Sequence, residues 1–252
     1  MISGDMREQI NSGKWTEEEL DILLKESSGI SDPGERIDFL SKQFLKIKYQ
    51  ESTLIGDINT HEVFVINLEG VDCFTFIEYI EAMRRSGSFN EFRENLRKVR
   101  YLSGRIAFEN RNHFFTDWKA FNPDFVVDIT KYISSGKSKE VSKILNKRDD
   151  GTLFLPGLSC RLRGLTYIPS IYVDDAVIEK LKTGDYAGIY SETGGLDVSH
   201  VGIIIREQNA VKLRHASSVG KYMEVVDEDF KDYQEAKPGI IVLRPRGMQG
   251  GS

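Results

Sequence analysis

Cys73, His200 and His215 are the residues of this chain whose types and places suit nucleophilic acyl-transfer chemistry. Cys73 directly follows Asp72, a good N-cap, at the point where apolar residues at helical spacing begin. Cys73, Phe76, Ile77, Ile80 and Met83 fall on one stripe. A thiol that opens a helix meets unpaired backbone N–H groups and the positive end of the macrodipole, which favour thiolate over thiol. A backbone N–H there can also hold an oxyanion. Such a nucleophile needs a base, and the base needs a group to orient it. In Val198-Ser199-His200-Val201-Gly202-Ile203-Ile204-Ile205 the imidazole shares a strand face with Gly202 and Ile204. In Val211-Lys212-Leu213-Arg214-His215 the last residue shares the face of Val211 and Leu213. The polar loop around Glu207-Gln208-Asn209 is short enough to join these strands as a hairpin. A register that pairs Ile205 with Ala210 puts His200 opposite His215, with Cβ atoms ~4.5–5.5 Å apart, close enough for one ring to hold the other's tautomer. A neighbouring register separates them. Cys160, in Leu158-Ser159-Cys160-Arg161, has no such helix start and is expected to be an ordinary cysteine.

The elements that must carry these residues read as helices first and strands afterwards. Thr16 with Glu19, Asp32 with Glu35 and Ser88 with Glu91 are capping pairs, each ahead of an apolar run at helical period, and Pro33 suits a first helical position. The third run carries Phe92, Leu96 and Val99 inward, ends near Gly104 and leaves its arginines and lysines to solvent. From Arg105 to Thr130 the period is lost while aromatics accumulate, which predicts a loop region that lines a site or covers the core. Ser138–Leu145 is expected to be a short surface helix. After Gly151 short β-branched runs predict an antiparallel sheet of Asp185–Tyr190, Val198–Arg206, Ala210–Ala216, Tyr222–Val226 and Gly239–Leu243, with Gly184 ending the helix before them. This order predicts an α+β fold rather than alternating α/β.

Composition narrows the function classes. The 252 residues are 40% apolar, enough for one sizeable core. A net charge of −5, from 34 basic and 39 acidic residues without a basic block, argues against nucleic acid as a partner. No apolar run reaches the ~18 residues a transmembrane segment needs, and Met1-Ile2-Ser3-Gly4-Asp5 lacks a secretory apolar region. Two cysteines make no disulfide framework, so free thiols are expected.

Val71-Asp72-Cys73-Phe74-Thr75-Phe76-Ile77-Glu78 resembles the Asp-Cys helix opening of NlpC-like cell-wall peptidases, and Ser199-His200-Val201-Gly202-Ile203 resembles their base strand. Within that superfamily the chain is similar to the N-acetylmuramoyl-L-alanine amidase-like family in Gly195-Leu196-Asp197-Val198-Ser199-His200-Val201-Gly202 and in Arg111-Asn112-His113-Phe114-Phe115-Thr116-Asp117-Trp118. The similarity runs from about Tyr49 to the end. It implies a papain-like core, with the nucleophile helix packed on an antiparallel sheet. One catalytic domain then covers residues 1–252: a helical extension at 1–48 and an amidase core at 49–252, with an inserted loop region at about 105–135.

Carried over residue by residue, the resemblance makes Cys73 the nucleophile, His200 the base and His215 the polar third member of the triad. Tyr49 resembles the upstream tyrosine near the oxyanion, although its surroundings depart from the Tyr-x-x-Gly-Gly form. Asp72, His113 and Ser199 are expected to line the substrate cleft, joined by Asp117, and Arg111, Arg161 or Arg163 could select stem carboxylates. His61 has no special role. No metal or organic cofactor is implied. The expected partners are muropeptide fragments of peptidoglycan, cut by a monomer at the bond between N-acetylmuramic acid and L-alanine. The alternative bond is γ-D-glutamyl-diaminopimelate. The cell envelope or periplasm is expected if an export signal was trimmed, and the cytoplasm stays open as the alternative. Readings of another class are a metal site built from Cys73, His200, His215 and Cys160 or Asp197, and a non-catalytic cell-wall binding module.

Overall fold

Helices begin where side chains take up the free N–H groups of the first turn, and this chain supplies those caps. In the computed structural model, which describes residues 8–208 and 210–247, Thr16 and Glu19 form a reciprocal box at α1 (Glu17–Ser28). Asp32 caps α2 (Pro33–Lys42), Asp72 caps α3 (Cys73–Arg84) and Ser88 caps α4 (Phe89–Arg100). Four shorter helices follow: α5 (Phe115–Phe121), α6 (Thr130–Ile133), α7 (Asp175–Ile178) and α8 (Phe230–Glu235). The expectation for Met1–Asp5 lies outside the described residues. Among them no helix is long and apolar enough to cross a membrane.

The strands are β1 (Glu8–Asn11), β2 (Lys48–Tyr49), β3 (Phe64–Asn67), β4 (Gly70–Val71), β5 (Val126–Asp128), β6 (Lys139–Leu145), β7 (Arg161–Pro169), β8 (Tyr186–Tyr190), β9 (Val198–Arg206), β10 (Val211–Ala216), β11 (Val225–Asp229) and β12 (Gly239–Pro245). An antiparallel sheet runs β11-β10-β9-β8-β12-β7-β6, with β5 also on β12. Two small parallel pairs, β1 with β3 and β2 with β4, flank the helices. The architecture is α+β, as the order of periods predicts.

Strand alternation divides the core between the two sheet faces. Val201, Ile203 and Ile205 of β9 join Leu20, Ile37, Phe76, Ile80 and Leu96 of the helices. Ile204 and Leu213 join Val177 and Phe230 on the other face. The central helix α3 is buried on nearly every side rather than along one stripe. Its two acidic residues are therefore paired inside the protein. Glu78 accepts from Arg100 Nε at 2.7 Å, and Glu81 accepts from Arg84 Nε at 2.9 Å and from the Tyr186 hydroxyl at 2.7 Å. Arg100 thus departs from the expectation that the basic residues of α4 face solvent.

Several local expectations yield to tertiary pairing. Ser138–Leu145 is no helix: Lys139–Leu145 pairs along its whole length with Arg161–Tyr167, a ladder that outweighs a weak helical pattern. The region from Arg105 to Thr130 holds α5 and β5 within its loops, because Asp117 and Asp197 hold α5 in place. Tyr222–Val226 shifts to Val225–Asp229, since a turn from Val219 to Tyr222 and a positive φ at Met223 delay the strand. Gly184 does not end a helix; α7 stops at Ile178, and Gly184 (φ +88°) makes the tight turn into β8 against Gly34.

Candidate active site

Asp72 fixes the start of α3 by accepting from Phe74 N at 2.9 Å, Thr75 N at 2.7 Å and Thr75 Oγ1 at 2.9 Å. Thr75 Oγ1 in turn accepts from Asp72 N at 3.0 Å. This reciprocal box leaves Cys73 as the first helical residue. Tyr49 pairs in register with Val71, which sets it beside the Asp72-Cys73 corner.

The imidazoles come from two later strands, β9 and β10, that pack against α3. The β9–β10 ladder runs from Arg206 with Val211 to Ile203 with Arg214, and the paired register stops there. Beyond it β9 is paired with β8 alone, and the Val201 N–H lies near enough to the Cys73 sulfur to favour its thiolate. By alternation His200 belongs to the α8 face, with Tyr233 beside it, and the body of α3 covers the other face, so any contact between thiol and imidazole has to be made around the tip of α3. His200 Nε2 lies 2.7 Å from His215 Nδ1, with the rings 4.8 Å apart and nearly perpendicular. His215 Nε2 lies 2.8 Å from Glu228 Oε2. His200 Nδ1, the ring nitrogen nearer its own backbone, stands outside these bonds.

The hairpin register differs by two residues from the one expected. Ile205 pairs with Lys212, because Glu207 N bonds to Ala210 O and places both residues in the loop. Asn209 of that loop lies outside the described residues. A shift of two keeps every side chain on its face, so the histidines still meet, diagonally rather than directly opposed. Gly202 occupies the place across from His215: a Cβ there would fall 2.9 Å from His215 Cβ and 3.0 Å from Arg214 O. Gly202→Ala is therefore expected to push His215 off His200 and to lower any activity of the site at least ~10-fold. Activity and unfolding measured together check this; a fully active variant would contradict it.

Burial dominates the electrostatics. The Cys73 thiol is pushed up to about 12, first by burial and then by the Asp72 charge, against the N–H groups of Val201, Cys73 and Phe74. Its helix start does not by itself produce a thiolate, contrary to the expectation from sequence. Burial likewise holds His200 down at about 3, helped by His215 and Lys237. His215 is lowered by burial, with Glu228 pulling upward. The resting pair is thiol and neutral imidazole.

These shifts set a pH dependence. His200, and His113 at about 4, stay neutral in the folded protein, while an unfolded histidine protonates near 6.5. The unfolded state alone takes up protons below that pH. Stability is thus undiminished above 6.5 and falls as pH drops towards the folded values, by roughly 2 kcal/mol per such imidazole between pH 7 and 5. Urea unfolding at both pH values tests this; identical midpoints would contradict it.

The other candidates occupy varied places. His113 Nε2 donates to Phe108 O at 2.7 Å and packs edge-on against Phe108, so it braces its own loop. Ser199 is exposed at the irregularity where the β8–β9 register shifts. Arg111 is engaged by both oxygens of Glu62, at 2.6 and 2.7 Å, and Arg163 donates to Asp117 at 2.8 Å. Arg161, 3.8 Å from Asp117, is the more exposed of the three. A cleft of about 630 Å³ runs from Asp72 past Ser52, Leu54, Asn59, Phe108 and Leu155. Cys160 is an exposed free thiol and Cys73 a half-buried one. Among the described residues no group of three or more His, Cys, Asp or Glu is arranged to hold a metal ion.

Glu228 and Tyr233 escape the sequence reading. Tyr233 of α8 packs edge-on against His215 with ring centroids 5.0 Å apart. Glu228 shares a face with Val226, the cross-strand partner of His215, and a strand drawn on through the acidic run Asp227-Glu228-Asp229 would have found it.

Comparison with known proteins bears on this site. A Legionella pneumophila protein of the DUF1460 family is 23% identical and shares the fold at a TM-score of 0.77, over 91% of this chain and 94% of the other. A crystal structure named as an N-acetylmuramoyl-L-alanine amidase from Bacteroides uniformis is 26% identical over 85% of this chain and 99% of that one, at a TM-score of 0.69. One named as a putative xylanase from Bacteroides fragilis is 26% identical over 81% and 98%, at a TM-score of 0.63. No curated protein matches. The family described as AmiA-like, N-acetylmuramoyl-L-alanine amidase-like, matches residues 39–240, a span that takes in Tyr49, Cys73, both strand histidines and Glu228. By that match the chain belongs to the AmiA-like, N-acetylmuramoyl-L-alanine amidase-like family.

Proposed function

We propose that this protein is a cysteine amidase that cleaves the amide between N-acetylmuramic acid and L-alanine in muropeptides, with Cys73 as nucleophile and His200 as base. The observation that carries this reading is the chain of contacts from His200 Nε2 to His215 Nδ1 at 2.7 Å and from His215 Nε2 to Glu228 at 2.8 Å, on a sheet against which the helix opened by Cys73 is packed. Family membership and the Bacteroides uniformis amidase support the choice of bond. A nucleophile helix packed on an antiparallel sheet supports a papain-like, NlpC-like core. The whole chain acts as one catalytic domain.

Since thiol and imidazole both rest neutral, the proton moves during attack. Cys73 Sγ bonds to the lactyl carbonyl carbon as its proton passes to His200 Nδ1. The oxyanion is held by the Cys73 N–H and the Tyr49 hydroxyl, each such donor being worth ~3–4 kcal/mol. Collapse breaks the C–N bond, and the amine of L-alanine leaves with the proton from His200. Water, deprotonated by His200, then attacks the thioester and restores the thiol. The reaction as written uses no metal or organic cofactor. Glycosidic cleavage, as the xylanase name would suggest, calls for two flanking carboxylates, and this site centres on a thiol and two imidazoles.

Digestion of purified muropeptides, read by mass spectrometry, tests the bond. Free stem peptide beginning with L-alanine is expected. An L-Ala-D-Glu stub left on the sugar would instead assign the γ-D-glutamyl-diaminopimelate bond.

A further inference from the structure

Resting on the catalytic reading above, we infer that Glu228 is a positioning residue that fixes the tautomers of both histidines in series, leaving the lone pair on His200 Nδ1 where the Cys73 proton must go. The argument is one of donors and acceptors. A carboxylate only accepts, so the 2.8 Å contact with Glu228 Oε2 requires a proton on His215 Nε2. A neutral His215 then carries its lone pair on Nδ1. Across the 2.7 Å contact, His200 Nε2 must be the donor, and His200 Nδ1 is left bare. Reversing any one link puts a proton on His200 Nδ1 and removes the base.

Neutrality of His215 is a condition of this relay, because an imidazolium would donate from both nitrogens, leaving the link to Glu228 as it is and turning the link to His200 around. The groups that face the two rings are Glu228 and Asp227 from β11, Tyr233 from α8 and Lys237 just after it, and Cys73 from α3 acts on Tyr233. Burial and Lys237 oppose a positive charge on either ring, and Tyr233 walls His215 with an aromatic face. The Glu228 side chain is about a quarter exposed, so its replacement leaves the core of the protein untouched. It reaches the nucleophile only through two rings, and its effect is therefore on proton placement rather than on substrate contact.

Nitrogen-15 spectra of the histidine-labelled full chain test the relay. In the wild type, His200 is expected to show a protonated Nε2 and an unprotonated Nδ1, and His215 the same pattern. Glu228→Ala is expected to populate the Nδ1–H form of both rings and to lower kcat ~10–100-fold with KM nearly unchanged. Glu228→Gln, whose amide oxygen can still accept, is expected to restore most of the tautomer pattern and of the rate. Protonated His200 Nδ1 in the wild type, or unchanged tautomers in the alanine variant, would overturn the inference. The spectra need no turnover, so they decide the relay even if Cys73→Ala proves active and the catalytic reading fails.

Discussion

On the proposed mechanism, replacing Cys73 by alanine is expected to lower muropeptide hydrolysis by roughly 10⁴–10⁶-fold while leaving the protein folded, because it removes the proposed nucleophile. The stability change should be small, about 1 kcal/mol, since the variant loses a single sulfur from a residue that is only half-buried overall. The raised thiol adds a second signature. A preformed thiolate would be alkylated by iodoacetamide at a rate nearly flat with pH. A thiol pushed up to about 12 should react slowly at pH 7 and faster as pH rises. Activity assays paired with alkylation rates from pH 6 to 10 check both statements; an active alanine variant would contradict the first, and a flat alkylation profile the second.

Arg100→Ala is expected to destabilise the protein by about 3–5 kcal/mol, the largest stability effect of any single truncation considered. Arg100 is fully buried, donates to Glu78 Oε2 at 2.7 Å and to Val65 O at 2.6 Å, and lies over the Tyr79 ring. Its removal strands a carboxylate in the middle of α3, the helix that carries Cys73 at its tip. Burial already raises Glu78, with Arg100 opposing. In the variant that opposition is gone, so the deficit should be greatest at neutral pH and should shrink as pH falls towards 4.5 and the lone carboxyl protonates. A double variant, Glu78→Met with Arg100→Met, should be more stable than the single one, because apolar neighbours of like size can replace a buried ion pair. Urea unfolding of the three proteins decides the matter; a loss under about 1 kcal/mol for Arg100→Ala would contradict it.

How much of this was legible in the sequence depended on whether the signal was local. Helix caps are local chemistry, and Thr16, Asp32, Asp72 and Ser88 each stand where a helix begins. Alternation along Val198–Arg206 is equally local and gave the strand its bounds. Partners far apart in sequence were not legible. Lys139–Leu145 is a strand only because Arg161–Tyr167 lies beside it, and Arg100 is buried only because Glu78 awaits it 22 positions away. In the site, residue types and strand faces marked Cys73, His200 and His215, yet the hairpin register was off by two, since nothing in Glu207-Gln208-Asn209 fixes which residues leave the ladder. Glu228 lies beyond Val226, where the β-branched run that marks the strand in the sequence ends and an acidic run takes over. Burial of the thiol could not be read from a helix start at all, and it reversed the expected charge state.

The most direct test of the account is to trap the covalent intermediate. Enzyme mixed with a muropeptide, quenched in acid within milliseconds and digested, should carry the muramoyl group on the peptide that contains Cys73, as a thioester that hydroxylamine removes. Turnover without any adduct on Cys73, or with the adduct on another side chain, would contradict it.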